Sequence, residues 1–244
     1  MPATTQAENR DAAASAAGPP AHRRLLAVCA HPDDETFGLG ALIGAFVDAG
    51  AAVDVLCLTH GGSSTLGAGA DLGARRGREL GCAAQLLGIE RVILDDHPDG
   101  QLGGVPIDRL AAEVVAAMAD VDALLVFDHG GVSGHPDHQH ATDAALLAAA
   151  RLGVPVLAWA IPESVASALN AEFGTGFVGR SDEELTYRVT VDRTRQLAAM
   201  TCHGSQLEDN PVPRRRLELQ GPEEYLRELR PDAGGAGQAR ASSV

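Results

Sequence analysis

Five short apolar runs, each followed by a helical pattern or a turn, recur between residues 23 and 160. They cover residues 23–30, 52–59, 91–95, 122–127 and 154–160. Between them, residues 35–49, 71–87, 106–119 and 136–152 carry helix signals. Pro106 and Pro136 open two of these helices, and Gly50, Gly88 and Gly153 close three. Such alternation predicts an α/β architecture, with a mostly parallel sheet and helices on both faces. After Pro162 the rhythm loosens. Residues 185–191 alternate like a strand and 193–202 read as a helix, so this part is expected to elaborate the same domain. Small polar segments at residues 1–22 and 231–244 read as disordered arms, leaving residues 23–230 as a single domain.

Composition excludes several classes of partner. The formal net charge is −14, which argues against nucleic acid and against an anionic membrane surface. Aromatic residues make up only 3%, too few for a platform that stacks single-stranded bases. Every basic residue other than His is Arg, which together with the abundance of Ala and Gly suggests the codon bias of a GC-rich bacterial genome. No run is long enough to span a bilayer, and the first residues lack the apolar core of a signal peptide. A cytoplasmic protein is therefore expected. Cys29, Cys57, Cys82 and Cys202 form no C-x-x-C pair and are read as reduced, buried thiols.

In an open α/β sheet, ligands bind beyond the carboxyl ends of the strands. There the first run leads into "HPDDE" (residues 31–35) and the second into "THGG" (59–62). The third leads into "DDHPDG" (95–100) and the fourth into "DHGGVSGHPDH" (128–138). Imidazole and carboxylate are thus concentrated on one edge. Both suit zinc and its first-row neighbours, and a catalytic zinc takes three protein ligands and leaves a position for water. His31 and Asp34, in one turn, can supply two. "GHPDH" can supply the third, with His138 the better candidate and His135 left for other work. Against this stands a plainer reading of "HPDD" as a Pro turn with acidic residues at a helix N-terminus.

"AHPDDETFGLGALI" and "GHPDH" resemble the paired signatures of the LmbE-like, or PIG-L-type, zinc-dependent N-deacetylases. "ARRGRELGCAAQLLGI", "DDHPDGQL" and "RQLAAMTCHGSQ" resemble further segments of that family, so the likeness runs over roughly residues 23–207. One departure is the 59–70 loop, which is Gly-rich and lacks the acid that often follows T-H-G in relatives. The resemblance implies a Rossmann-like, three-layer fold. It implies a cytoplasmic hydrolase that removes an acetyl or related acyl group from an N-acylated amino sugar or its conjugate. His31, Asp34 and His138 become ligands of Zn2+, or of Fe2+, and Asp33 the general base. His135, if protonated, stabilises the oxyanion, and Asp137 holds the His135 ring. Arg76, Asp99 and His203 become candidates to bind the substrate; His60, His97 and His129 are more simply solvated loop residues.

Three other readings are weaker or closely related. A nucleotide-binding protein would need its glycines in the strand-to-helix turn. Gly38, Gly40 and Gly44 lie inside the expected helix instead, where they permit close packing, and the turn itself is acidic. A non-catalytic metal or sugar module has no use for a base beside the metal. An amidase acting on a sugar–thiol conjugate would share the same site.

Overall fold

The computed structural model describes residues 18–230 apart from 68 and 70. The expected arms at 1–22 and 231–244 therefore lie outside the described residues, except for residues 18–22, which carry no regular structure. Seven strands form one sheet: β1 Arg24–Cys29, β2 Ala52–Thr59, β3 Arg91–His97, β4 Ala123–Phe127, β5 Val156–Ala160, β6 Tyr187–Thr190 and β7 Glu223–Leu229. Helices α1 Asp34–Phe37, α2 Gly40–Asp48, α3 Leu72–Leu87, α4 Ile107–Ala117 and α5 Gly131–Gly134 are followed by α6 Pro136–Leu152, α7 Glu163–Phe173, α8 Thr194–Met200, α9 Gly204–Leu207 and α10 Val212–Gln220.

The strand order is β3-β2-β1-β4-β5-β7-β6. β1 to β5 run parallel, while β7 pairs antiparallel with both β5 and β6. The period-2 alternation of β1 divides it between two cores. Leu25, Ala27 and Cys29 pack with Leu42 and Phe46 of α2 and Leu80 of α3. Leu26, Val28 and Ala30 face Leu110 of α4 and Ala145 of α6. Such apolar strands, buried on both faces, are what a parallel sheet covered by helices requires. The order reverses between β1 and β4, so the loops after these two strands flank the crevice of the fold.

Three expectations are corrected. The single helix expected over residues 35–49 is two, α1 and α2, separated at Gly38–Leu39. A Cβ on Gly38 would stand 2.5 Å from Phe127 Cζ and 2.9 Å from Trp159 Cζ3, so Gly38 admits these rings against the backbone. β7 has no counterpart in the sequence reading because it carries charge inward. Glu224 is fully buried and accepts from Trp159 Nε1 at 2.8 Å, Gln220 Nε2 at 2.6 Å, Arg193 Nη1 at 2.6 Å and Arg216 Nη1 at 2.7 Å.

The third correction concerns cysteine. Cys29 and Cys57 are free and buried, as expected, but Cys82 and Cys202 form a disulfide across 120 residues. The bond ties α3 to the segment between α8 and α9, and a disulfide typically stabilises by about 2–4 kcal/mol. Disulfides persist chiefly in oxidising surroundings, which weighs against the cytoplasmic expectation. No helix among the described residues is long and apolar enough to cross a membrane. Burial, the first cause, holds both free thiols well above their ordinary pKa. A thiol reagent should therefore find no fast-reacting cysteine in the native protein, two after denaturation, and four after denaturation with reductant. Four without reductant would contradict the disulfide.

Candidate active site

The turn after β1 folds tightly around Asp34. Its Oδ2 accepts from the Ala30 and His31 backbone N–H groups at 3.0 and 2.9 Å. Its Oδ1 faces His138 Nε2 at 3.2 Å. His31 Nδ1 lies 3.2 Å from the same His138 nitrogen and 3.8 Å from Asp34 Oδ2. His31 and Asp34, from the turn after β1, thus meet His138, from the first turn of α6, around His138 Nε2. Ligands about 2.0–2.1 Å from a tetrahedral ion stand about 3.3 Å apart, which the two 3.2 Å separations match.

Each of these side chains is also pinned by its other polar atom. His31 Nε2 bonds Asp99 Oδ1 at 3.1 Å and Asp137 Oδ2 at 3.4 Å. His138 Nδ1 meets Ser133 Oγ at 3.1 Å. Outer partners of this kind fix the tautomer and direction of metal-binding imidazoles. The surrounding carboxylates favour positive charge at this point, carried by a proton or a cation. Burial opposes ionisation of Asp34, but His138 and His31 hold its carboxyl well below the usual range. Burial likewise opposes charge on His31, yet Asp137 and Asp99 push that ring up to about 10.

Asp33 stands apart from this convergence. Its φ of 134° is unusual for a residue with a side chain, and strain of this sort collects at functional sites. Its backbone N–H donates to Glu35 Oε2 at 2.9 Å, and Arg76 Nη2 lies 3.0 Å from its Oδ1. Burial pushes Asp33 up to about 6, against the opposing pull of Arg76. Arg76 also donates to the carbonyls of Gly61 and Pro32, each at 2.7 Å. It reaches them across Gly61, where a Cβ would meet Arg76 Nη1 at 2.2 Å. Gly61 has φ +62°, a left-handed conformation that costs a residue with a Cβ about 1–2 kcal/mol. Gly61→Ala should therefore lower unfolding stability by a similar ~1–2 kcal/mol and, by displacing Arg76 from Asp33, lower kcat by up to about 10²-fold. Denaturant melts and steady-state kinetics check both; wild-type turnover would remove Arg76 from the account.

Two expected roles are corrected. Asp137 does not hold the His135 ring by its carboxylate. That carboxylate turns inward to His31 and accepts from the N–H groups of Gly100 at 2.7 Å and Leu102 at 3.1 Å. His135 Nδ1 instead accepts the Asp137 backbone N–H at 3.1 Å, as a helix N-cap. Burial first, then the His31 and His138 charges, lower the His135 pKa, which disfavours the imidazolium and suits the acceptor role of Nδ1. His203 is fully buried and bonded to Glu35 Oε1 at 2.7 Å, out of reach of any substrate. Arg76 and Asp99 do line an open polar cleft with His31, His135 and His138. The remaining His residues divide. His97 bonds Glu113 at 2.7 Å and His129 bonds Asp143 at 2.8 Å, while His60 packs beside Gly73.

The sequence reading missed Ser63, Ser64, Thr65 and Gln206 in this cleft. Ser63 N donates to Asp99 Oδ2 at 2.7 Å and Ser64 Oγ to Gln206 Oε1 at 2.8 Å. These bonds join the 59–70 loop to the loop after β3 and to α9. Only the "HGSQ" segment carried a signal for them.

A sheet switch point where His31, Asp34 and His138 cluster, with Asp33 at positive φ beside them, defines an α/β protein with a candidate metal centre at its crevice. Residues 26–150 match the family described as PIG-L: GlcNAc-PI de-N-acetylase, and the chain belongs to that family. It is 30% identical over 239 residues to 1D-myo-inositol 2-acetamido-2-deoxy-alpha-D-glucopyranoside deacetylase of Nakamurella multipartita, covering 76% of this chain and 80% of that protein. Its fold is similar to that of a deacetylase of teicoplanin biosynthesis, with TM-score 0.64 at 21% identity over 86% of this chain and all of that one. The fold alone does not select the reaction. The 4-carboxy-2-hydroxymuconate hydratase GalB of Pseudomonas putida is similar at TM-score 0.60 and 17% identity, over 88% of this chain and 100% of that one.

Proposed function

We propose that this protein is a metal-dependent hydrolase that removes an acyl group from the amine of an N-acylated amino sugar or its conjugate. The observation that carries this reading is the placing of His31 Nδ1 and Asp34 Oδ1 each 3.2 Å from His138 Nε2, with Asp33 beside them and held by Arg76. The similarity to a sugar-amide deacetylase over most of both chains supports the substrate class.

His31, Asp34 and His138 would hold Zn2+ or Fe2+, both of which accept a His₂Asp set. Such an ion, when bound, supplies Lewis acidity and lowers the pKa of water towards neutrality. The remaining steps belong to the chain. Asp33, near 6, is matched to accepting a proton from water at neutral pH and returning it to the departing amine. Arg76 fixes the direction of its carboxylate. His135 Nε2–H donates to the developing oxyanion as a neutral group. Asp137 is a positioning residue that acts through His31, and His203 one that acts through Glu35. Asp99 and Arg76 would meet sugar hydroxyls in the polar cleft. Residues 23–230 would act as one domain.

Acetate release from a panel of N-acetylglucosaminyl compounds tests the reading. Release should be abolished by a chelator and restored by Zn2+ or Fe2+. A metal-loaded protein that cleaves no N-acyl amino sugar would contradict it.

A further inference from the structure

The cleft has a second chamber, and its chemistry is the reverse of the first. Both chambers meet at Asp33, Asp34 and His138. The polar one, about 410 Å³, is lined by Ser63, Arg76, Asp99 and Gln206. The other, about 380 Å³, is walled by Phe37, Phe127, Val132, Trp159, Phe177 and Val212. The chain has five Phe, two Tyr and one Trp, and this chamber takes three of the Phe and the Trp. A protein so poor in aromatic residues has gathered half of them beside its reactive centre.

Polar groups on this chamber's wall are already engaged. Arg216 donates to Glu224 and to the Phe37 carbonyl, with its guanidinium 5.1 Å from the Trp159 ring centroid. Asn210 donates to the Gln206 carbonyl and accepts from Val212 N–H. Thr175 Oγ1 donates to Asn170. A sugar ring there would bury hydroxyls without partners, at about 1–3 kcal/mol each. A hydrocarbon would lose nothing. The backbone is arranged to keep the chamber's walls in place. Gly38 admits Phe127 and Trp159, and Val132 adopts φ 51° while its side chain stays 1% exposed. A positive φ is a true outlier for a β-branched residue.

An acetyl methyl group is about the size of one water, whose share of volume is ~30 Å³. It would leave most of 380 Å³ unfilled. We propose that the substrate is an amino sugar carrying a medium-length fatty acyl chain, of up to roughly twelve carbons by this volume. Its sugar would sit in the polar chamber and its acyl tail against Phe37, Phe127, Trp159 and Phe177. This rests on the deacylase reading and names its substrate. In the reaction, water adds its oxygen to the amide carbonyl carbon and the C–N bond breaks. The amine keeps the electron pair and takes a proton through Asp33. The products are a fatty carboxylate and a free amino sugar.

The test is a series of N-acyl glucosamines, from acetyl to decanoyl, given to the metal-loaded full chain. Specificity, kcat/KM, should rise about two- to fourfold per methylene, the transfer of one CH₂ from water setting the upper figure. Trp159 is the only tryptophan, so its fluorescence reads occupancy without turnover. N-octanoylglucosamine should perturb it at concentrations where N-acetylglucosamine does not. Val212→Phe, at a half-buried position, should narrow the chamber and cut the octanoyl-to-acetyl specificity ratio at least tenfold. If that variant misfolds, the wild-type series and the fluorescence titration decide alone. Hydrolysis of the acetyl compound with no gain on lengthening would overturn the acyl chamber and leave the deacylase reading standing. Chain-length-dependent quenching with no hydrolysis of any member would overturn the deacylase reading instead.

Discussion

Asp33→Asn should lower kcat by about 10²–10⁴-fold, the range lost with a general base, and leave the bound metal in place. The two adjacent aspartates differ in what surrounds them. Asp33 is held by Arg76 Nη2 at 3.0 Å and is the carboxylate that burial raises to about 6. Asn at this position keeps the shape and removes the lone pair that takes a proton. Metal content by elemental analysis and single-turnover kinetics read the two effects separately. Loss of metal with Asp33→Asn would reverse the assignment of the pair.

Asp34→Asn should do the opposite and release the metal. The Asn oxygen can still accept from the Ala30 and His31 N–H groups, so the turn keeps its frame. The amide NH₂ then replaces Oδ1 opposite His138, and an amide nitrogen is no ligand. Outer-sphere substitutions already cost 10–100-fold in metal affinity, so loss of this inner one should exceed about 10²-fold. Competition with a chromogenic chelator measures it, and activity should fall in step.

Much of this was legible in the sequence, for identifiable reasons. β1, β2, β4 and β5 announce themselves because strands buried on both faces are continuous apolar runs, while the edge strand β3 shows only in its Val-Ile-Leu core. The convergence of His31, Asp34 and His138 is legible because the fold rule sends the loops after β1 and β4 to one crevice. What escaped depends on contacts between distant segments. Asp137 lies two residues from His135, yet the first turn of α6 sends its carboxylate to His31 and the β3 loop, where it is 1% exposed. His203 meets Glu35 across 168 residues and Cys82 meets Cys202 across 120, and neither spacing leaves a local trace. The apolar chamber is assembled from α1, β4, α5, β5, the segment after α7, and α10 with Asn210 before it, so no stretch of chain spells it out. β7 was hidden by Glu224, a buried charge whose partners lie on α10, β5 and the turn before α8.

Two other clusters compete for the same ion, His31 with Asp99 and Asp137, and His31 with His135 and His138. The first puts Asp99 and Asp137 in place of Asp34 and His138, and the second puts His135 in place of Asp34. Anomalous diffraction at the metal edge from crystals of the metal-loaded protein separates all three. One ion is expected, bonded to His31 Nδ1, Asp34 and His138 Nε2, with protein ligands at about 2.0–2.2 Å and Asp33 outside the coordination sphere. An ion on His31 Nε2 between Asp99 and Asp137, or one bonded to Asp33, would contradict it.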